Sequence, residues 1–306
     1  MSLKHKHLLS TKDLQVSEVE EILENARSFK EVSQRDIKKV PTLRGKTLIN
    51  LFLEDSTRTR TSFEIAGKRL SADVINISKG GSSVSKGETV LDTAKTLEAM
   101  NPHVLVVRAR QSGFPEKLSH HLNCKVINAG DGAHEHPTQA LLDLFTLLEK
   151  RSSVKGMKVA IVGDIAHSRV ARSNLYLLKK MGAEVRLVGP ASLMPAQVEK
   201  YGVKVFHNMI EGIQEADAIM MLRIQQERLG EIPSFPSTRE YARFYGLDRS
   251  KLSSCKKDVL ILHPGPVNRG IEISPEVADG KHSLILDQVA NGVAVRMSIL
   301  YLLGEL

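Results

Sequence analysis

Leu48-Ile49-Asn50-Leu51-Phe52-Leu53-Glu54-Asp55-Ser56-Thr57-Arg58-Thr59-Arg60 is the stretch that decides the architecture of this chain. It begins as an apolar run of strand length and ends as hydroxyls mixed with guanidinium groups. Beyond it, Phe63, Ala66, Gly67 and Leu70 fall at helical spacing. The order is strand, short turn, helix. Such a turn sets polar side chains at a helix N-terminus, where unpaired backbone N–H groups already favour an anion. Arg58 adds a planar cationic fork that matches phosphate oxygens. A merely capped helix would need one polar residue, Asp55 or Ser56, not five in succession. The stretch reads as a phosphate site.

The same unit recurs along the chain. Strands are expected over 47–53, 74–77, 104–107 and 126–128, with helices over 57–70, 88–100, 115–121 and 137–149. Ahead of them, 17–29 reads as a helix with a capping-box pair, Ser17 and Glu20, and a stripe of Val19, Ile22, Leu23, Ala26 and Phe29. After the polar stretch 150–156 a second series starts. Its strands are expected at 158–162, 184–188, 203–206, 218–222 and 259–262, its helices at 169–181, 209–216 and 238–245. The segment 229–236, with two prolines, reads as a mobile loop. A last helix over 288–303 is apolar at Val289, Val293, Met297, Leu300 and Tyr301.

Short apolar strands alternating with helices predict parallel sheets covered on both faces. Two series predict an α/β chain of two doubly wound parallel-sheet domains. The first is expected over 1–149, completed by the C-terminal helix 288–306, and the second over 150–287. Ligands of such sheets bind beyond the carboxyl ends of the strands, so the active site is expected in the interdomain cleft.

Composition narrows the function classes. At 306 residues the chain is long for one core. It has no apolar run of membrane-span length, and 1–9 lacks the apolar centre of a signal peptide, so cytoplasm is the expected location and no membrane partner is expected. Cys124 and Cys255 are the only cysteines, which provides neither a disulfide framework nor zinc-ligand spacing. The net charge of +8 raises nucleic-acid binding. The basic residues are scattered and only 4% of residues are aromatic, too few rings for base stacking, so no nucleic-acid partner is expected.

Five further segments carry polar residues at turns. Gly80-Gly81-Ser82-Ser83-Val84-Ser85-Lys86-Gly87 reads either as a flexible surface loop or as a lid whose Ser82 and Lys86 reach an anion. It lacks the Gly-Lys-Ser/Thr order of a Walker A loop. In 128–139, Asp131, His134 and His136 could suggest a metal, but no further ligand completes a tetrahedral set. His136 and Gln139 are better used as hydrogen-bonding groups for a carbonyl and an amide. Gly163-Asp164-Ile165-Ala166-His167-Ser168-Arg169 has only the first glycine of a dinucleotide fingerprint, and Arg169 at its helix start suits a carboxylate. Arg223 and Gln225 follow the apolar run 218–222, where a site is expected; Glu227 and Arg228 read as solvated charges. His263-Pro264-Gly265-Pro266 is a rigid turn after a buried strand, able to hold backbone carbonyls towards an amino or amide group.

Taken in order over the whole length, these segments resemble the transcarbamoylase family, and within it the aspartate-specific branch. Ser56-Thr57-Arg58-Thr59-Arg60, His136-Pro137-Thr138-Gln139 and Leu222-Arg223-Ile224-Gln225 jointly carry the resemblance. The ornithine-specific branch shares the first motif but typically has His-Pro-Cys-Gln and His-Cys-Leu-Pro segments. Here Thr138 and His263-Pro264-Gly265-Pro266 stand instead. Arg169 and Arg223 also match the two carboxylates of L-aspartate. Some members carry two adjacent lysines where Ser85 and Lys86 stand, and some a leucine at the place of Gly265.

The resemblance implies transfer of a carbamoyl group from carbamoyl phosphate to the amine of L-aspartate, an early step of pyrimidine synthesis, with L-ornithine as the alternative acceptor. It implies that Ser56, Thr57, Arg58, Thr59 and Arg108 hold the phosphate, with Ser82 and Lys86 from a neighbouring chain of a homotrimer. Thr59, Arg108 and His136 would face the carbonyl oxygen. Gln139 and the carbonyls of Pro264 and Gly265 would orient the carbamoyl NH2. Lys86, Arg169, Arg223 and Gln225 would grip aspartate. No metal or organic cofactor is expected, because carbamoyl phosphate is already an activated acyl donor. A regulatory chain or a dihydroorotase would be a further partner.

Overall fold

The computed structural model describes residues 4–78, 87–224 and 237–304. The chain forms two compact units, Met1–Phe145 with Val289–Leu306, and Thr146–Gln288.

The first unit begins with α1 (Val16–Val32) and continues β1 (Thr47–Phe52), α2 (Thr57–Arg69), β2 (Asp73–Ser78), α3 (Val90–Glu98), β3 (Val104–Ala109), α4 (Phe114–Ser119), β4 (Lys125–Asp131) and α5 (Pro137–Lys150). Its sheet is parallel throughout, in the order β2-β1-β3-β4. The chain therefore turns one way from β1 and the other way from β3. The gap between those strands is a topological switch point, the place where ligands bind such sheets. The central strands are apolar runs because both of their faces are covered. Ile49, Leu51, Leu105, Val107 and Val126 share a core with Ala94, Leu97, Phe114 and Leu118 of α3 and α4.

The second unit contains β5 (Lys158–Val162), α6 (Arg169–Lys180), β6 (Glu184–Val188), β7 (Lys204–Phe206), α7 (Met209–Ile213), β8 (Ala218–Met221), α8 (Thr238–Tyr245), α9 (Arg249–Leu252), β9 (Leu260–Leu262) and α10 (Pro275–Ala278). Its parallel sheet runs β7-β6-β5-β8-β9, with the switch point between β5 and β8. Val162, Met221 and Ile261 meet Ile213 and Tyr241 in its core. The last helix, α11 (Ile285–Gly304), carries the chain back into the first unit: Ser298 Oγ donates to the Ile22 carbonyl of α1, and Tyr301 meets Phe29 edge-on at 5.6 Å.

Several element ends differ from expectation. The carboxylate that reaches back at the start of α1 is Glu18, accepting the Gln15 N–H at 2.9 Å; Ser17 already lies inside the helix. Thr89 caps α3 by accepting from the Asp92 N–H, so that helix starts two residues later than its apolar pattern. The one-turn helices α9 and α10 are too short for a periodic signal. α11 starts at Ile285, although Leu286 is 80% exposed and outside any buried stripe. Among the described residues, no helix is long and apolar enough to cross a membrane.

Candidate functional site

In the first unit the polar turn after β1 lies beside the end of β3. Phe52 pairs in register with Arg108. Ser56 takes the N-cap position of α2 with extended backbone, but its side chain makes no capping hydrogen bond. The first turn of α2 holds no acidic residue and two arginines, Arg58 and Arg60. Cations at the positive end of a helix work against its dipole, so this arrangement suits a bound anion rather than helix stability. Arg58 and Thr57 are exposed, whereas Thr59 is buried and faces inward.

Arg108 is held from two sides. Its Nη2 donates to Glu54 Oε1 at 3.1 Å and its Nη1 to the Ala129 carbonyl at 3.4 Å. These bonds orient the guanidinium at the switch point. His136, one residue ahead of α5, is buried, and its Nε2 lies 3.4 Å from Thr59 Oγ1. The two residues are 77 apart in sequence and meet because their turns follow strands on either side of β3. Gln139 Nε2 donates to Asp143 Oδ1 at 2.8 Å. A carboxylate can only accept, which fixes the orientation of that amide. Asp131 is occupied structurally: it accepts from Asn128 Nδ2, from the Gly113 and Glu135 N–H groups, and meets His134 Nδ1.

Behind these turns lies Arg296 of α11, fully buried. Its Nη1 donates to Ser62 Oγ at 3.0 Å and its Nη2 to Thr138 Oγ1 at 3.4 Å, and its guanidinium lies 5.2 Å from the centre of the Phe63 ring. Burial pushes it down to about 10, so it stays a cation at neutral pH. It joins α2, which begins at the Ser56–Arg60 stretch, to the helix that follows His136. Sequence reasoning missed it, although a charge inside the apolar run of α11 is a legible signal.

In the second unit the switch point carries Arg169 and Arg223. Gly163 follows β5 with φ +133°; a Cβ there would stand 3.1 Å from both Leu222 Cβ and Tyr241 Oη. Asp164, fully buried, accepts from the His167 N–H and meets His167 Nδ1 at 2.9 Å, closing the turn. Ser168 caps α6 through the Ala171 N–H. Arg169, the first residue of α6, is 5% exposed, and that first turn too lacks an acidic residue. Arg223 lies two residues beyond the end of β8, across the switch point, and is half-buried. Burial and the nearby Glu272 and Asp164 carboxylates push the Tyr241 phenol far up, so it remains protonated.

Pro264 and Gly265 form the turn after β9. Gly265 has φ +67°, a left-handed backbone that glycine adopts freely. The bond to Pro266 is cis. Ser82, Lys86 and Gln225 lie outside the described residues, as does the loop expected at 229–236. The structure thus brings Ser56–Arg60, Arg108, His136 and Gln139 together in one unit. Arg169, Arg223 and the 264–265 turn cluster at the strand ends of the other.

Residues 6–149 match the family model described as aspartate/ornithine carbamoyltransferase, carbamoyl-P binding domain, and residues 155–303 match its Asp/Orn binding domain. The chain is 61% identical over 303 residues to the aspartate carbamoyltransferase catalytic subunit of Syntrophus aciditrophicus, covering 99% of this chain and 98% of that one. Among solved structures, aspartate transcarbamoylase from Trypanosoma cruzi, in complex with carbamoyl aspartate and phosphate, superposes with a TM-score of 0.87 at 31% identity, covering 98% and 96% of the two chains. Ornithine carbamoyltransferase from Pyrococcus furiosus gives the same TM-score at 29% identity, covering 99% and 98%. Backbone similarity alone does not separate the two acceptors.

Proposed function

The chain belongs to the aspartate/ornithine carbamoyltransferase family, and we infer that it is an enzyme transferring the carbamoyl group of carbamoyl phosphate to L-aspartate. The products are N-carbamoyl-L-aspartate and phosphate, which places the reaction in pyrimidine synthesis. The observation that carries the choice of acceptor is the full-length 61% identity to an aspartate enzyme. The sequence at the two decisive turns agrees: Thr138 and Pro264-Gly265-Pro266 stand where the ornithine branch typically has cysteine-containing segments.

The first unit holds carbamoyl phosphate and the second holds aspartate. Ser56, Thr57, Arg58 and Thr59 bind the phosphate at the start of α2, with Arg108 from β3. The uncharged amine of aspartate attacks the carbonyl carbon. Negative charge grows on the carbonyl oxygen, and Thr59, Arg108 and His136 receive it as fixed donors. The 3.4 Å approach of Thr59 to His136 supports their acting on one atom. The C–O bond to phosphate then breaks, Arg58 stabilises the leaving anion, and the departing phosphate takes the amine proton. Gln139 and the carbonyls of Pro264 and Gly265 orient the carbamoyl NH2. Arg169 and Arg223 bind the two carboxylates of aspartate, assisted by Gln225. Orienting two anions against their repulsion supplies much of the rate.

Three such chains form a ring in which Ser82 and Lys86 serve the neighbour's site. The exposed apolar side chains of Ile37, Ile75 and Met100 on the first unit support an assembly. The enzyme works in the cytoplasm, where a regulatory chain or a dihydroorotase is a further partner.

Phosphate release with carbamoyl phosphate and either L-aspartate or L-ornithine tests the reading. Release is expected with aspartate only. Release with ornithine, or equal release without an acceptor, overturns it.

A further inference from the structure

The turn after β9 is held by a buried relay that no role above requires. His263 and Glu272 have side chains with no exposed surface, and His263 Nε2 lies 3.0 Å from Glu272 Oε1. The Gly265 N–H donates to His263 Nδ1 at 2.8 Å. A backbone N–H can only donate, so Nδ1 carries the lone pair and the ring proton sits on Nε2, pointing at the carboxylate. The same Glu272 oxygen accepts from the Asn268 N–H at 2.6 Å. The His263 N–H donates to Gln288 Oε1 at 2.9 Å.

The consequence concerns what the turn can offer a ligand. From His263 to Pro266 every N–H is either consumed by this relay or absent, because Pro264 and Pro266 have none. Asn268 is consumed as well. Among the described residues, the carbonyls of Pro264 and Gly265 accept no hydrogen bond. The turn therefore presents acceptors and no donors. A group bearing N–H beside its carbonyl fits that surface. A methyl group leaves the carbonyls without a partner, and an anionic oxygen is repelled.

We propose that the buried Glu272–His263 pair sets donor selectivity, locking the turn as an acceptor-only surface that takes a carbamoyl phosphate over acyl phosphates lacking the NH2. Glu272 is a positioning residue: it acts through the imidazole and touches no substrate. The inference rests on the reading that Pro264 and Gly265 face the donor's amide. A site built to hydrogen-bond an N–H rejects the analogue without it far more strongly than a merely close-fitting one.

The test compares carbamoyl phosphate with acetyl phosphate, L-aspartate being the acceptor, in the wild type, Glu272→Leu and Glu272→Gln. Glu272→Leu removes the relay. It is expected to lower kcat/KM for carbamoyl phosphate by about 10- to 100-fold, and to leave acetyl phosphate within about 3-fold, since acetyl makes no use of the turn. Where acetyl phosphate is not turned over, its inhibition constant against carbamoyl phosphate is read instead and should stay within the same margin. Glu272→Gln keeps an oxygen where Oε1 stands and should retain most of the selectivity. Equal losses with both donors mean a purely structural role and overturn the proposal, as does an unchanged ratio.

A second measurement reads the wild-type protein itself. Nitrogen-15 NMR of the wild-type histidines, with His263 assigned by loss of its signals in His263→Asn, should show the neutral Nε2–H form at pH 7.5. The Nδ1–H form or an imidazolium overturns the relay. A wild-type enzyme that releases no phosphate from carbamoyl phosphate and L-aspartate would instead refute the proposed function, leaving the tautomer result standing.

Discussion

Arg58 is exposed at the first turn of α2, with Thr59 buried beside it and no acidic residue within that turn. Helix electrostatics disfavour a cation there, so its worth lies in what it binds. In the proposed reaction it meets the phosphate as charge accumulates on the leaving oxygen, a role realised mainly in the transition state. Arg58→Ala should lower kcat by about 10²- to 10³-fold, the range for loss of one such donor, while KM for carbamoyl phosphate moves far less. Steady-state kinetics decide it, and a near-normal kcat would sink the assignment. Residues of this kind were legible because they sit in runs directly after apolar strands. Glu272 was not, and the charge of Arg296 within an apolar run marks the residue but not what it touches, since partners define both. Arg296 meets Ser62 across 234 residues and Thr138 across 158, and nothing local announces either contact.

Elements with a strong period were readable within a few residues: β1, β5, β6, α2 and α5 follow from apolar runs and stripes. The misplaced starts of α1, α3 and α11 belong to capping and to exposed first turns, where apolar pattern is silent. One consequence lies at the other end of the first unit's sheet, where its strands begin. His7 Nδ1 accepts the Val126 N–H at 3.0 Å, and His103 Nδ1 accepts the Thr47 N–H at 3.1 Å. Burial, then the charges of Lys6 and His120, lower His7 to about 4. Burial, then Lys46 and Lys125, lower His103 as well. Between the ordinary histidine value of 6.5 and about 4, the unfolded chain binds a proton that native His7 refuses. Stability therefore falls as pH falls through that window. His7→Asn keeps an acceptor for Val126 and cannot titrate. Its urea midpoint should drop less than the wild type's between pH 7 and pH 4.5; parallel profiles would refute the account.

At the scale of the molecule, two series of strands and helices predict two parallel sheets, and each sheet has its own switch point. The Ser56–Arg60 turn and Arg108 flank one, and Arg169 and Arg223 flank the other, so placement of the candidate residues followed from strand order that sequence alone does not reveal. The proposed sharing of sites between chains is a property of the assembly and is testable there. A ring of three has heterologous contacts, so each site takes its own chain's Arg58 and one neighbour's Lys86. Lys86→Ala and Arg58→Ala chains should each be nearly inactive alone. When the two are unfolded together and refolded as a 1:1 mixture, roughly a quarter of the sites combine an intact Arg58 with an intact Lys86. Phosphate release should then recover towards that fraction of the wild-type rate. Were Lys86 to serve its own chain's site, each chain would carry one defect wherever it sits, and no mixture would regain activity.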